Sequence, residues 1–249
     1  MKNYSLTIGW LYPELMSTYG DRGNVISLQK RCEWRDINVK IKKLDVGFDQ
    51  NQLTTCDMIF MGGAQDKQQQ IVADDLMKKR EELKKMIDNG IPGLYICGAY
   101  QFLGKYYKEA NGKVINGLKI FDLFTVNPGI GFSRQIGTSV IKALNNKIIV
   151  GFENHGGRTY LGKRIKSFGK VIKGFGNNGN DQTEGAVYKN SFGTYLHGPI
   201  LPKNPQFADL LIKLALEKKY GAPTNLFPLE DSLEIQARTA IAKILKIKI

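Results

Sequence analysis

Across its N-terminal part the chain alternates short apolar runs with stretches of helical spacing, and that alternation predicts a parallel sheet covered by helices on both faces. Residues 5–12 (SLTIGWLY) read as the first strand, followed by a loop containing Tyr19-Gly20-Asp21-Arg22-Gly23-Asn24. A helix from about Val25 to Arg35 leads into an alternating strand, Val39 to Leu44, in which Val39, Ile41 and Lys43 face opposite to Lys40, Lys42 and Leu44. Met58 to Met61 is a buried strand ending at Gly62-Gly63. A long polar helix, roughly Asp66 to Asp88, carries Leu76, Leu83 and Ile87 and stops at Asn89-Gly90. Leu94-Tyr95-Ile96 is the next strand, with a helix after it. In parallel sheets ligands bind where loops leave the carboxyl ends of the strands, so Gly62-Gly63 and Cys97-Gly98 are the places to look.

The second half changes character. Gly117 to Val126, Ser139 to Leu144 and Lys147 to Phe152 read as strands joined by turns at Asn127-Pro128-Gly129 and Asn145-Asn146, hence antiparallel or mixed sheet. Ser191 to Leu196 is one further strand, ending at His197. Two amphipathic helices, about Pro205 to Tyr220 and Leu229 to Leu245, close the chain with Gly221-Ala222-Pro223 between them. There is no internal repeat and no long linker, so the expectation is one α/β domain over residues 1–249, with a mostly parallel sheet and antiparallel additions.

Composition narrows the function. With 36 basic and 23 acidic side chains the formal charge is +13, which suits either an anionic partner or a solvated lysine-rich exterior. The basic residues are spread along helices and no nucleic-acid motif accompanies them, so no nucleic acid partner is expected. Cys32, Cys56 and Cys97 are too scattered for a disulfide framework or a zinc site, and no metal is expected. No apolar run approaches 18 residues and the N-terminal segment lacks a signal-peptide pattern. The expected location is the cytoplasm or the inner face of a membrane. No Gly-Lys-Ser or Gly-Lys-Thr occurs, so ATP chemistry, if any, lies on another polypeptide.

Cys97 directly follows a strand and precedes Gly98-Ala99 and a helix. A nucleophile on such a sharp strand-to-helix turn stands exposed at the sheet edge, and the helix N-terminus beneath it offers N–H donors to a developing oxyanion. The plainer alternative is a buried structural cysteine. A thiol nucleophile needs a base, and the chain has two histidines, His155 and His197. His197 ends an apolar strand before Gly198-Pro199 and is the expected base; His155, in Glu153-Asn154-His155-Gly156-Gly157-Arg158, fits a hydrogen-bonded structural role at least as well. Gly63, in Gly62-Gly63-Ala64, and Gly98 are the expected oxyanion-hole amides.

These segments together carry a resemblance. Tyr19-Gly20-Asp21-Arg22-Gly23-Asn24, Met61-Gly62-Gly63, residues 96–104 (ICGAYQFLG), residues 151–160 (GFENHGGRTY) and residues 193–204 (GTYLHGPILPKN) resemble the cobyric-acid-synthase type of class I glutamine amidotransferase. Within that type the chain is most similar to the GatD-type amidotransferase subunit of lipid II isoglutaminyl synthases. The resemblance implies a flavodoxin-like three-layer sandwich. It implies that Cys97 attacks the side-chain amide of L-glutamine to give a thioester and ammonia, with His197 as general base and acid. It places Arg134 on the substrate, where a guanidinium forks well onto an α-carboxylate. It also implies a heterodimer with a MurT-type, Mur-ligase-like subunit that carries ATP and magnesium and through which lipid II is reached, this chain needing no cofactor of its own.

Two positions depart from the pattern. Many class I amidotransferases carry a glutamate two residues after the histidine, where this chain has Pro199; either the imidazole works without an acid or a partner subunit supplies a carboxylate. Ala99 stands where close relatives often have glycine, tolerable if φ there is negative. The competing readings are an amidotransferase for another acceptor such as a corrinoid, which would bring an ATP-binding synthetase domain, and a catalytically silent α/β scaffold.

Overall fold

The computed structural model describes residues 4–64, 66–143 and 146–247. The N-terminal alternation folds as β1 (Ser5–Leu11), α1 (Arg22–Glu33), β2 (Asn38–Leu44), β3 (Met58–Met61), α2 (Asp66–Met77), α3 (Arg80–Asp88), β4 (Gly93–Ile96) and α4 (Gly98–Leu103). Every residue of β3 and β4 is buried, as their continuous apolar sequence requires of central parallel strands. β2, with its exposed lysines, forms the edge.

Two further strands complete this sheet, β13 (Ala186–Tyr188) and β14 (Ser191–Thr194), in the order β13-β14-β4-β3-β1-β2. β14, β4, β3, β1 and β2 run parallel and β13 pairs antiparallel at the other edge. The parallel order is the doubly wound 2-1-3-4-5 arrangement, in which the loops after β1 and β3 diverge at a switch point. The carboxyl ends of β1, β3, β4 and β14 are therefore neighbours.

The remaining strands are β5 (Tyr106–Lys108), β6 (Val114–Asn116), β7 (Leu123–Val126), β8 (Gln135–Ala143), β9 (Ile148–His155), β10 (Arg158–Leu161), β11 (Gly169–Lys173) and β12 (Thr183–Glu184). They make two four-stranded sheets, β10-β7-β5-β6 and the antiparallel β12-β11-β8-β9. The end of β9 is joined to the main sheet by an antiparallel bridge between Phe152 and His197, with His197 N donating to Phe152 O at 2.6 Å. Helices α5 (Ile200–Lys203), α6 (Pro205–Tyr220) and α7 (Ser232–Leu245) follow. Buried Asn204 locks α5 and α6 to β9: its Oδ1 accepts from Val150 N and its Nδ2 donates to the carbonyls of Val150 and Ile200. Among the described residues no helix is long and apolar enough to cross a membrane.

Several sequence expectations shift. The expected helix over Asp66 to Asp88 is two helices, because Lys79 leaves helical geometry and turns inward, its Nζ meeting Asp75 Oδ1 at 2.7 Å. The apolar spacing of Leu76, Leu83 and Ile87 runs straight across this break and hides it. The expected strand over Gly117 to Val126 is strand only from Leu123. The amides of Gly117, Leu118, Lys119, Ile120 and Phe121 instead donate to carbonyls of residues 102–105, capping the C-terminus of α4. The helix expected from Val25 starts at Arg22, and the last helix starts at Ser232 rather than Leu229. The strand expected over Ser191 to Leu196 stops at Thr194. Those expected over Ser139 to Leu144 and Lys147 to Phe152 span Gln135–Ala143 and Ile148–His155; Leu144 and Asn145 lie outside the described residues.

Candidate active site

Four neighbouring strand ends each deliver one part of the site. Cys97 follows β4 with φ 51° and ψ −104°, a conformation that costs a non-glycine residue about 1–3 kcal/mol and persists because its surroundings impose it. Its amide donates to Thr194 O at 2.8 Å, and the first turn of α4 packs directly behind it. The sharp turn expected at this cysteine is thus present. Ala99 lies inside α4 and is not among the positive-φ residues, so its methyl is accommodated.

His197 follows β14 and is fully buried. Its Nδ1 lies 3.2 Å from Oδ1 of Asp21, which the loop after β1 brings in from 176 residues away. Its Nε2 has no other hydrogen-bond partner among the described residues, and the Cys97 sulfur is close enough to influence the imidazole. Burial pulls the imidazole pKa down, but the charge and hydrogen bond of Asp21, with a further contribution from Cys97, push it up to about 10. At neutral pH the ring is an imidazolium beside the Cys97 sulfur.

This arrangement corrects the expectation drawn from Pro199. Within this chain a carboxylate does face the His197 Nδ1: it is Asp21, in the Tyr19–Asn24 segment. That segment docks on the residues around His197. Asn24 Oδ1 accepts from Leu201 N, and Gly23 lies so close to Pro199 that a Cβ there would come 2.5 Å from its Cγ. Pro199 therefore fills the position of the customary glutamate by packing against the loop that carries Asp21.

Asp21 has a second task. Its Oδ2 accepts the Gly63 N–H at 2.7 Å, so that amide is not available to a substrate and the expectation for Gly63 as an oxyanion donor fails. The next amide, Ala64 N, has no partner among the described residues and sits 3.5 Å from where a Cβ on Gly98 would be. Gly98 N, at the first turn of α4, is likewise unengaged. Ala64 and Gly98 are thus the amides the fold leaves open beside Cys97. Gly63 leaves the gap between Cys97 and His197: a Cβ there would fall 2.8 Å from His197 Cε1 and 3.2 Å from Cys97 Cβ.

Cys97 opens into a cavity of about 560 Å³, lined also by Tyr19, Gln69, Gln101, Arg134 and His155. Arg134 is braced by Asn154, donating from Nε and Nη2 at 3.0 Å each, which leaves Nη1 unused among the described residues. Gln69 and Gln101 spend their Nε2 groups on Ala64 O and the Tyr195 hydroxyl, and among the described residues their buried Oε1 atoms are left as acceptors without donors. A larger cavity of about 670 Å³ beside Lys84, Lys119 and Arg164 contains no thiol, hydroxymethyl or imidazole group and shares no residue with the first.

The domain family described as CobB/CobQ-like glutamine amidotransferase matches residues 7–205, a span containing every residue named at the site. The chain belongs to that family. It is 40% identical to the GatD subunit of the glutamine-hydrolysing lipid II isoglutaminyl synthase of Staphylococcus aureus, over 96% of this chain and 95% of the relative. To the subunit of the same name from Streptococcus pneumoniae it is 44% identical, over 92% and 88%. A solved glutamine amidotransferase structure superposes with a TM-score of 0.58 at 12% identity, covering 84% of this chain and 98% of that one, a likeness of fold.

In this amidotransferase His155 is built into the scaffold. Its Nδ1 pairs with Gly157 O at 2.8 Å, and its ring stacks flat on Tyr195 at 3.6 Å. Burial holds its pKa below the usual range, against the raising influence of Glu153 and the Gly157 carbonyl. Glu184, lifted to about 8 by burial, accepts from Thr194 Oγ1 and Tyr195 N and steadies the strand end just before His197.

The other thiols are a built-in control. Burial pushes Cys32 up to about 12 and Cys56 up to about 11, and neither lines the cavity that Cys97 opens into. Brief treatment of the folded chain with iodoacetamide at neutral pH is expected to label Cys97 at least about tenfold faster than Cys32 or Cys56. Peptide mass spectrometry reads the sites, and equal slow labelling of all three would favour the silent scaffold.

Proposed function

We propose that Cys97, His197 and Asp21 hydrolyse L-glutamine to glutamate and ammonia, and that the chain is the glutaminase subunit of a lipid II isoglutaminyl synthase. The observation that carries the catalytic part is the convergence of a strained cysteine, an imidazolium and its carboxylate at adjacent parallel strand ends. The acceptor rests on the likeness to the two GatD subunits.

The substrate's α-carboxylate lies on Arg134, and its ammonium donates to the unpaired Oε1 atoms of Gln69 and Gln101. The Cys97 sulfur attacks the side-chain carbonyl carbon, and the N–H groups of Gly98 and Ala64 receive the oxyanion. As the tetrahedral adduct collapses, the C–N bond breaks and His197 gives its proton to the departing nitrogen, releasing ammonia and leaving a thioester. Water then attacks the thioester while His197 takes up a proton. The C–S bond breaks, glutamate leaves, and the thiolate–imidazolium pair is restored. Asp21 stays ionised throughout, holding the imidazole in register.

The ammonia passes to a MurT-type, Mur-ligase-like subunit in the cytoplasm, which activates the D-glutamate α-carboxyl of the lipid II stem peptide with ATP. The test is co-expression with that ligase and an assay on lipid II with amide-¹⁵N-glutamine. Labelled isoglutamine is expected in lipid II, and ammonium salts should replace glutamine when this chain is omitted. Glutamate release with no label in lipid II would reject this acceptor, and a corrinoid acid would be assayed next.

A further inference from the structure

The Ala64 amide is useful only if it faces the elbow, and nothing on Ala64 itself decides that. A peptide unit is planar, and in its trans form the N–H points opposite to the preceding C=O. The Gly63 carbonyl is therefore the handle that orients the Ala64 N–H. That carbonyl accepts the Thr18 N–H at 3.2 Å. The flanking peptide units are held too, Gly63 N by Asp21 Oδ2 and Ala64 O by Gln69 Nε2. Thr18 and Asp21 belong to one turn, closed by Asp21 N donating to Thr18 O at 3.2 Å. The turn contains two successive left-handed residues, Tyr19 at φ 52° and Gly20 at φ 81°. For tyrosine that conformation costs about 1–2 kcal/mol, so contacts on either side maintain it. The Tyr19 ring rests edge-on against His197 at a centroid distance of 5.0 Å and lines the catalytic cavity.

We propose that the Thr18 N–H is a positioning group for catalysis: by holding the Gly63 carbonyl it turns the Ala64 N–H toward the carboxamide oxygen of the substrate. The proposal rests on the acyl-transfer reading of Cys97. One short turn then organises both halves of the reaction, the base through Asp21 and the oxyanion hole through Thr18. Release of the latch frees the Gly63–Ala64 peptide to rotate, which removes one of two oxyanion donors while the thiol and imidazole stay in place.

The full-length chain with Thr18 replaced by its α-hydroxy acid, an amide-to-ester change that deletes this N–H and keeps the side chain, is the direct test; Thr18→Pro is the encoded counterpart. Expected for both is a fall in kcat for glutamine hydrolysis of about 10- to 100-fold, with KM within about threefold. Affinity for the γ-aldehyde analogue of glutamine, whose adduct carries the oxyanion, should fall by the same factor. Iodoacetamide alkylation of Cys97 forms no oxyanion and should keep its wild-type rate within about twofold. An unchanged kcat in the ester variant overturns the proposal. So does alkylation that falls in step with kcat, because the turn would then act on the nucleophile through Asp21 and His197. If wild-type chain fully alkylated at Cys97 still hydrolyses glutamine, the reading of the site fails instead of the latch.

Discussion

Cys97→Ala is expected to lower glutamate release from L-glutamine by at least about 10⁴-fold, with the melting temperature within a few degrees of wild type. The size follows from the site: no other thiol lines the cavity, and an imidazolium has no lone pair with which to replace the nucleophile. Alanine keeps the Cβ and so carries the same backbone cost at φ 51°, which leaves the elbow and the amides of Gly98 and Ala64 as they are. Glutamine should therefore still bind, with a Kd close to the wild-type KM if chemistry is slow relative to release. Calorimetric titration of the variant measures this, and coupled glutamate detection measures the rate. Retained turnover above about 1% of wild type would remove Cys97 from the mechanism.

What could be read beforehand follows from how local each signal is. The strand Met58–Met61 and the helix Pro205–Tyr220 are recovered to the residue, because a continuous apolar run and a proline-to-glycine helix are written in adjacent positions. The elbow is legible for the same reason: an apolar strand, a cysteine and two small residues are contiguous. His197 could be placed because a strand end fixes the layer in which its imidazole stands.

The carboxylate could not be placed this way. Asp21 was visible in a glycine-flanked motif, but its pairing with His197 depends on β1 and β14 ending on the same side of one sheet with β3 and β4 between them. Strand order of that kind is a property of the fold. The error at Gly63 is finer still. The glycine pair correctly marked the loop, yet which of two successive amides faces the substrate depends on which carbonyl is held from outside, here by Thr18. A sequence names the peptide units without their orientation. The lost strand over Gly117 to Phe121 has a third origin, since those amides serve the carbonyls at the end of α4, a demand invisible to hydrophobic patterning.

Because one side chain serves both the base and the loop, Asp21→Asn should be the most damaging substitution that leaves nucleophile and base chemically intact. An amide presents one acceptor where the carboxylate presents two, while the His197 Nδ1–H and the Gly63 N–H both need one. Either choice opposes two donors, so kcat should fall by about 10²- to 10⁴-fold. The pH dependence gives the sign. Against the lowering effect of burial, Asp21 with a further contribution from Cys97 raises the folded-state pKa of His197 from 6.5 to about 10, so the stability gained by the charged imidazole is fully present below 6.5 and is lost as pH rises through about 10. In Asp21→Asn the carboxylate charge is gone, and burial pulls the imidazole down against only the smaller raising effect of Cys97. The alkaline limb of kcat/KM, set by loss of the His197 proton, should therefore move from near 10 to distinctly lower pH, and the wild-type decline in melting temperature between pH 7 and 10 should flatten. Rate profiles and thermal melts over the same buffers measure the two effects independently. An alkaline limb that stays in place in the variant would show that Asp21 does not govern the proton on His197.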